Sequence, residues 1–66
     1  MQALTPRERQ CLSLAARGYL ADGMAEELGL AKATIGFHMK NARTKLHAKT
    51  TTEAVAIAVK YSWLDP

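Results

Sequence analysis

The stretch ADGMAEELGLAKATIGFHMKNARTKL, residues 21–46, decides how this chain folds. Met24, Ala25 and Leu28 gather on one side at helical spacing, with Glu26 and Glu27 outside. That pattern predicts a short helix over Ala21–Leu28. Gly29-Leu30-Ala31 then reads as a three-residue turn. Glycine takes positive φ there without strain, and Leu30 is an apolar plug that sets the angle between its neighbours. Ile35, Met39, Ala42 and Leu46 recur on one stripe, which predicts a longer helix from about Lys32 to Leu46. Lys32, Ala33, Gly36, Phe37, Lys40, Arg43 and Thr44 fall largely on its opposite side. A short helix, a three-residue turn with glycine and a longer helix with a basic outer face form a helix-turn-helix.

Two more helices flank this pair. Thr5 is a helix N-cap, Pro6 suits the first helical position, and Glu8 completes a Thr-x-x-Glu capping box. Cys11, Leu12, Leu14, Ala15 and Ala16 give that first helix an apolar face, and Gly18 is its natural stop. A second capping box, Thr50 to Glu53, opens a fourth helix that runs to about Tyr61. Ala54 to Val59 are six consecutive apolar residues. At about 100° per residue they surround the helix, so one side faces the core and another needs a different cover. Tyr61 and Trp63 are expected to close the core near the end of the chain. The expected architecture is an all-α, four-helix bundle built around the helix-turn-helix, with residues 1–66 as one domain.

Composition limits what such a domain can do. Sixty-six residues and 48% apolar content suit one small globular unit with little volume for an enzyme pocket. One cysteine, Cys11, rules out an internal disulfide or a multi-cysteine zinc site and fits a cytoplasmic setting. No apolar run nears the roughly 18 residues that span a membrane. Charge is uneven: residues 32–49 hold Lys32, Lys40, Arg43, Lys45 and Lys49 with no acid, while the remainder is net acidic. A basic block in a near-neutral domain is the footprint of a polyanion partner. B-DNA's major groove, about 12 Å wide, accepts one α-helix, so double-stranded DNA is the expected partner. A small protein-interaction module that offers the same basic helix to an acidic protein is the competing reading.

Several motifs resemble those of the LuxR-type (LuxR/GerE) DNA-binding domain. They are Leu-Thr-Pro-Arg-Glu-Arg at 4–9, Ala-x-Gly at 16–18, Met-Ala-x-x-Leu-Gly-Leu at 24–30 and Thr-Ile-x-Phe-His at 34–38. Lys45-Leu46 and Thr-Glu-Ala-Val at 52–55 extend the resemblance to essentially the whole chain. The run Phe37-His38-Met39-Lys40-Asn41 looks most like the quorum-sensing branch. The resemblance implies the output domain of a bacterial transcription regulator, with the helix over 32–46 in the major groove. It implies no cofactor in this domain, and an N-acyl-homoserine lactone for a separate N-terminal domain. A stand-alone GerE-like regulator and a response-regulator output domain are the alternatives within the class.

Carried over by position, the resemblance places base contacts at Gly36, Phe37 and Lys40. Gly36 stands where a longer polar or basic residue is frequent, Phe37 suits a thymine methyl or else packing on the second helix, and Lys40 keeps a cation suited to guanine or a nearby phosphate. Phosphate contacts are expected from Lys32, Thr34, Arg43, Lys45, Lys49, Thr50 and Thr52. The resemblance also implies a homodimer on DNA through the fourth helix, at Ala54, Val55, Ala58 and Val59, with RNA polymerase as a further partner. Ala31 stands in place of a serine N-cap, and His47 where glycine is frequent, so His47 is expected either to take a left-handed turn or to cap carbonyls. His38 reads as a packed ring rather than a metal ligand or base, and Cys11 as a buried inert thiol. No Ser/His/Asp or Cys/His set is supported, so no catalytic role is expected.

Overall fold

The computed structural model describes residues 3–61. It holds α1 (Pro6–Ala16), α2 (Ala21–Leu28), α3 (Lys32–Lys45) and α4 (Thr51–Lys60), in that order. Trp63, expected near the core, lies outside the described residues.

Helix starts follow from the residues at each cap. Thr5 and Glu8 form the full capping box: Glu8 N–H donates to Thr5 Oγ1 at 3.1 Å, and Thr5 N–H donates to Glu8 Oε1 at 3.0 Å. Thr50 caps α4 by accepting from Glu53 N–H at 3.0 Å. The return bond differs from a capping box, because Glu53 Oε1 accepts from Lys49 N–H at 2.7 Å instead of from Thr50. Leu20 and Ala31 open α2 and α3 with no side-chain cap bond. Packing must therefore hold those two starts.

The ends of α1, α2 and α3 share one device. Tyr19 N–H reaches Leu14 O, Leu30 N–H reaches Ala25 O, and Ala48 N–H reaches Arg43 O, at 3.0, 3.0 and 2.8 Å. Each such six-residue closure needs a left-handed residue just past the helix. Gly18 and Gly29 supply it for α1 and α2, and His47 supplies it for α3 with φ 55°. Of its two expected states His47 thus adopts the left-handed turn, at a steric cost that glycine avoids.

Leu4, Cys11, Leu12, Leu14, Met24, Ile35, Met39, Ala42, Leu46, Ala54 and Ala58 make the core. Leu12, Ile35 and Cys11 are its largest fully buried side chains. α1 packs on both α3 and α4, and α2 leans on α3. The predicted stripe Ile35, Met39, Ala42, Leu46 is wholly inside, which turns the opposite side of α3 outward.

Two expectations for the C-terminal region are corrected. Tyr61 does not close the core; it is 53% exposed. Ala54 and Ala58 are fully buried, so they cannot form a dimer face. Their small side chains, one turn apart, let α4 lie close to α1. The outward side of α4 instead carries Thr52, Ala56 and Val59, with Val55 half-buried beside them.

Candidate nucleic-acid interface

The outward side of α3 presents Lys32, Ala33, Gly36, Phe37, Lys40 and Thr44, all exposed. Gly36, Phe37 and Lys40, expected to meet bases, are thereby brought onto one surface. Phe37 is 62% exposed and meets the His38 ring edge-on, with centroids 5.8 Å apart. An aromatic ring this open on a surface helix gains little from the fold that bears it. Gly36 is equally unexplained by packing. A Cβ built there meets nothing within 4 Å, and its φ is not in the left-handed region. Glycine inside a helix nevertheless costs about 1 kcal/mol relative to alanine.

The flanking polar groups have distinct surroundings. Lys32 Nζ lies 3.1 Å from Asp22 Oδ1, but both side chains are mostly solvated, so the pair contributes little and leaves the cation accessible. Arg43 is half-buried and donates to Thr51 Oγ1 at 3.4 Å, which ties α3 to the start of α4. Thr34 is half-buried, while Lys49, Thr50 and Thr52 are exposed near the N-terminus of α4. Thr50 Oγ1 is engaged as the α4 cap. Thr51 was not singled out by the sequence, because its role appears only when α3 and α4 are side by side.

Lys45 departs from its expected phosphate role. Its ammonium donates to Glu8 Oε1 at 2.7 Å and to Ala3 O at 3.3 Å, with side-chain exposures of 18% for Lys45 and 3% for Glu8. Glu8 therefore joins the α1 cap to the end of α3. Burial alone would raise the Glu8 pKa, but the Lys45 ammonium and the Thr5 N–H outweigh it and hold the carboxyl below its ordinary value. The contact spans 37 residues of sequence, so no local pattern announces it.

Leu20 opens α2 with no side-chain cap bond. In the structure it is 80% exposed and lines a groove of about 440 Å³ together with Tyr19, Met24, Gly36, Met39 and Arg43. Cys11 is fully buried, and burial pushes its thiol pKa up, which keeps it protonated and inert. Among the described residues, no group of three or more His, Cys, Asp or Glu side chains could hold a metal ion. No helix among them is long and apolar enough to cross a membrane.

Comparison with known proteins bears on this surface directly. The family model for bacterial regulatory proteins of the luxR family matches residues 2–58. The chain belongs to that family. It is 40% identical over 62 residues, 94% of its length, to the HTH-type quorum sensing-dependent transcriptional regulator VjbR of Brucella ovis (strain ATCC 25840 / 63/290 / NCTC 10512). It spans about a quarter of the length of the curated relatives it matches. The solved structure of the transcription factor GerE superposes with a TM-score of 0.88 at 25% identity, covering 97% of both chains. The response regulator ChrA of a heme-sensing two-component system superposes with a TM-score of 0.91 at 26% identity, covering 97% of this chain and 32% of that one. The four-helix, helix-turn-helix architecture of this luxR-family domain is thus shared with both.

Proposed function

We propose that this luxR-family domain binds double-stranded DNA sequence-specifically as the output module of a bacterial transcription regulator, with α3 in the major groove. The observation that carries this reading is the two-sided character of α3. Its stripe Ile35, Met39, Ala42, Leu46 anchors in the core, while Gly36, Phe37 and Lys40 stand outward between cationic flanks. Lys40 is placed to read guanine, whose O6 and N7 accept from a cation. Lys32, Arg43 and Lys49 fix the register on phosphates, with Thr34, Thr50 and Thr52 as hydroxyl donors. Lys45 is left out of that set because Glu8 holds it.

Similarity to VjbR supports a quorum-sensing regulator, whose sensory domain would take an N-acyl-homoserine lactone outside this chain. Two copies would meet through the outward side of α4, at Val55, Ala56 and Val59, and read an inverted repeat. Contact with RNA polymerase and a cytoplasmic location belong to the same reading, and no catalytic step does.

A salt titration tests the core of it. Affinity for a selected duplex should fall linearly in log salt, by about 0.9 log unit per neutralised phosphate. Uniformly weak binding to all duplexes, with tight salt-insensitive binding to an acidic protein, would support the protein-interaction module instead.

A further inference from the structure

The first two and a half turns of α3 expose Lys32, Ala33, Gly36, Phe37 and Lys40. Between the two lysines the exposed positions Ala33, Gly36 and Phe37 carry no hydrogen-bonding side chain, and Thr34 and His38 are half-buried. Gly36 stands at the centre of this surface. Neither backbone conformation nor packing calls for glycine there, since φ is ordinary and a Cβ would enter open space. What its absence of side chain does create is a notch. The bare backbone of Gly36 forms one wall of the α2–α3 groove, and Leu20, 80% exposed, forms another. Ala21, Met24 and Met39 give the same groove apolar lining on its α2 and α3 sides, while Arg43, Thr51 and Thr52 line it toward α4.

The N-terminal part of a recognition helix is the part that meets base edges. Of the groups that base pairs display in the major groove, the C5-methyl of thymine is the apolar one. We infer that the Gly36–Leu20 notch is a C5-methyl pocket: it accepts thymine, and by the same chemistry 5-methylcytosine, through shape and apolar contact alone. This rests on the major-groove reading above. It deepens that reading by assigning one base position to Gly36, through the absence of a side chain, and to Leu20, which lies on α2 rather than on the recognition helix.

The test begins with selection of a binding site from random duplexes by the 66-residue chain, followed by methyl deletion at each selected thymine. Replacing thymine by uracil at the notch position should weaken binding about fourfold, the worth of one buried methyl group. A 5-methylcytosine·guanine pair there should bind better than an unmethylated one by a similar factor. Gly36→Lys fills the notch with a side chain that the open space admits, and should abolish both methyl effects while the domain melts no lower, lysine being the better helix former. Leu20→Ser should shrink them. Equal affinity for thymine and uracil at every selected position would overturn the pocket and leave DNA binding standing. Methyl discrimination that persists in Gly36→Lys would overturn its assignment to this notch. Failure to enrich any duplex would overturn the DNA reading, and this inference with it.

Discussion

Lys40 and Lys45 sit on the same helix, five residues and about 140° apart, and their ammonium groups face different surroundings. Lys40 is exposed on the recognition surface; Lys45 is held against a nearly buried carboxylate. Their substitutions should separate accordingly. Lys40→Ala should leave the melting temperature nearly unchanged, cost about 1–3 kcal/mol of DNA affinity and blur preference at one base pair, as read by binding-site profiling. Lys45→Met should instead destabilise the fold by about 2–3 kcal/mol, because it strips Glu8 of its charged partner. The salt slope of DNA binding should stay as it was. A slope reduced by one unit at unchanged stability would reinstate Lys45 as a phosphate contact. The same pair sets the acid limit. Glu8 has its pKa depressed in the folded state, so its contribution is present above its ordinary value near 4.5 and is lost as pH falls through the folded value. Glu8→Gln should flatten stability against pH in that acid window, measured by thermal melts below about pH 5.

At the level of elements, the two helices of the recognition unit have the weaker starts. Ala31 has the extended backbone of an N-cap, φ −68° and ψ 148°, but no side-chain oxygen to accept from the first turn. Ala31→Ser should add about 1 kcal/mol, which for a domain of this size raises the melting temperature by about 4–8 °C. His47→Gly should contribute a similar gain by relieving the left-handed φ of 55°. Elements such as α1 were legible because their signals are local: Thr5, Pro6 and Glu8 lie within one turn, and Gly18 within two residues of the helix end. The stripe of α3 was legible because its four apolar positions keep strict helical spacing. α4 was only half legible. Six consecutive apolar residues carry no periodicity, so the choice of Ala54 and Ala58 for the core depended on how closely α4 approaches α1. Of the interface, Gly36, Phe37 and Lys40 were readable from spacing and resemblance. Leu20, Thr51 and the pairing of Lys45 with Glu8 were not, because each depends on a neighbour from another helix.

Across the whole molecule, the core draws on all four helices, the recognition surface on the outward side of α3, and the proposed dimer contact on Val55, Ala56 and Val59 of α4, so the three should be separable by mutation. Val59 is 57% exposed and supports no core contact that a polar residue would ruin. Val59→Asp should weaken binding to an inverted repeat about tenfold by placing like charges across the proposed two-fold contact, while a single half-site duplex is bound as before. Equal loss on both duplexes would place Val59 on the DNA rather than between protomers. Charge distribution makes the same point on a larger scale. The cations of residues 32–49 decorate α3 and the approach to α4, and the acids lie on the remainder of the chain. The most direct measurement of the central claim is selection of the 66-residue chain on random duplexes, followed by a log–log salt titration of the winning sequence and its Lys40→Ala partner. The account predicts enrichment of a defined half-site, affinity that declines linearly with log salt, and a loss of preference at one base pair in the variant. No enrichment, or a winning sequence whose profile is indifferent to Lys40, would contradict it.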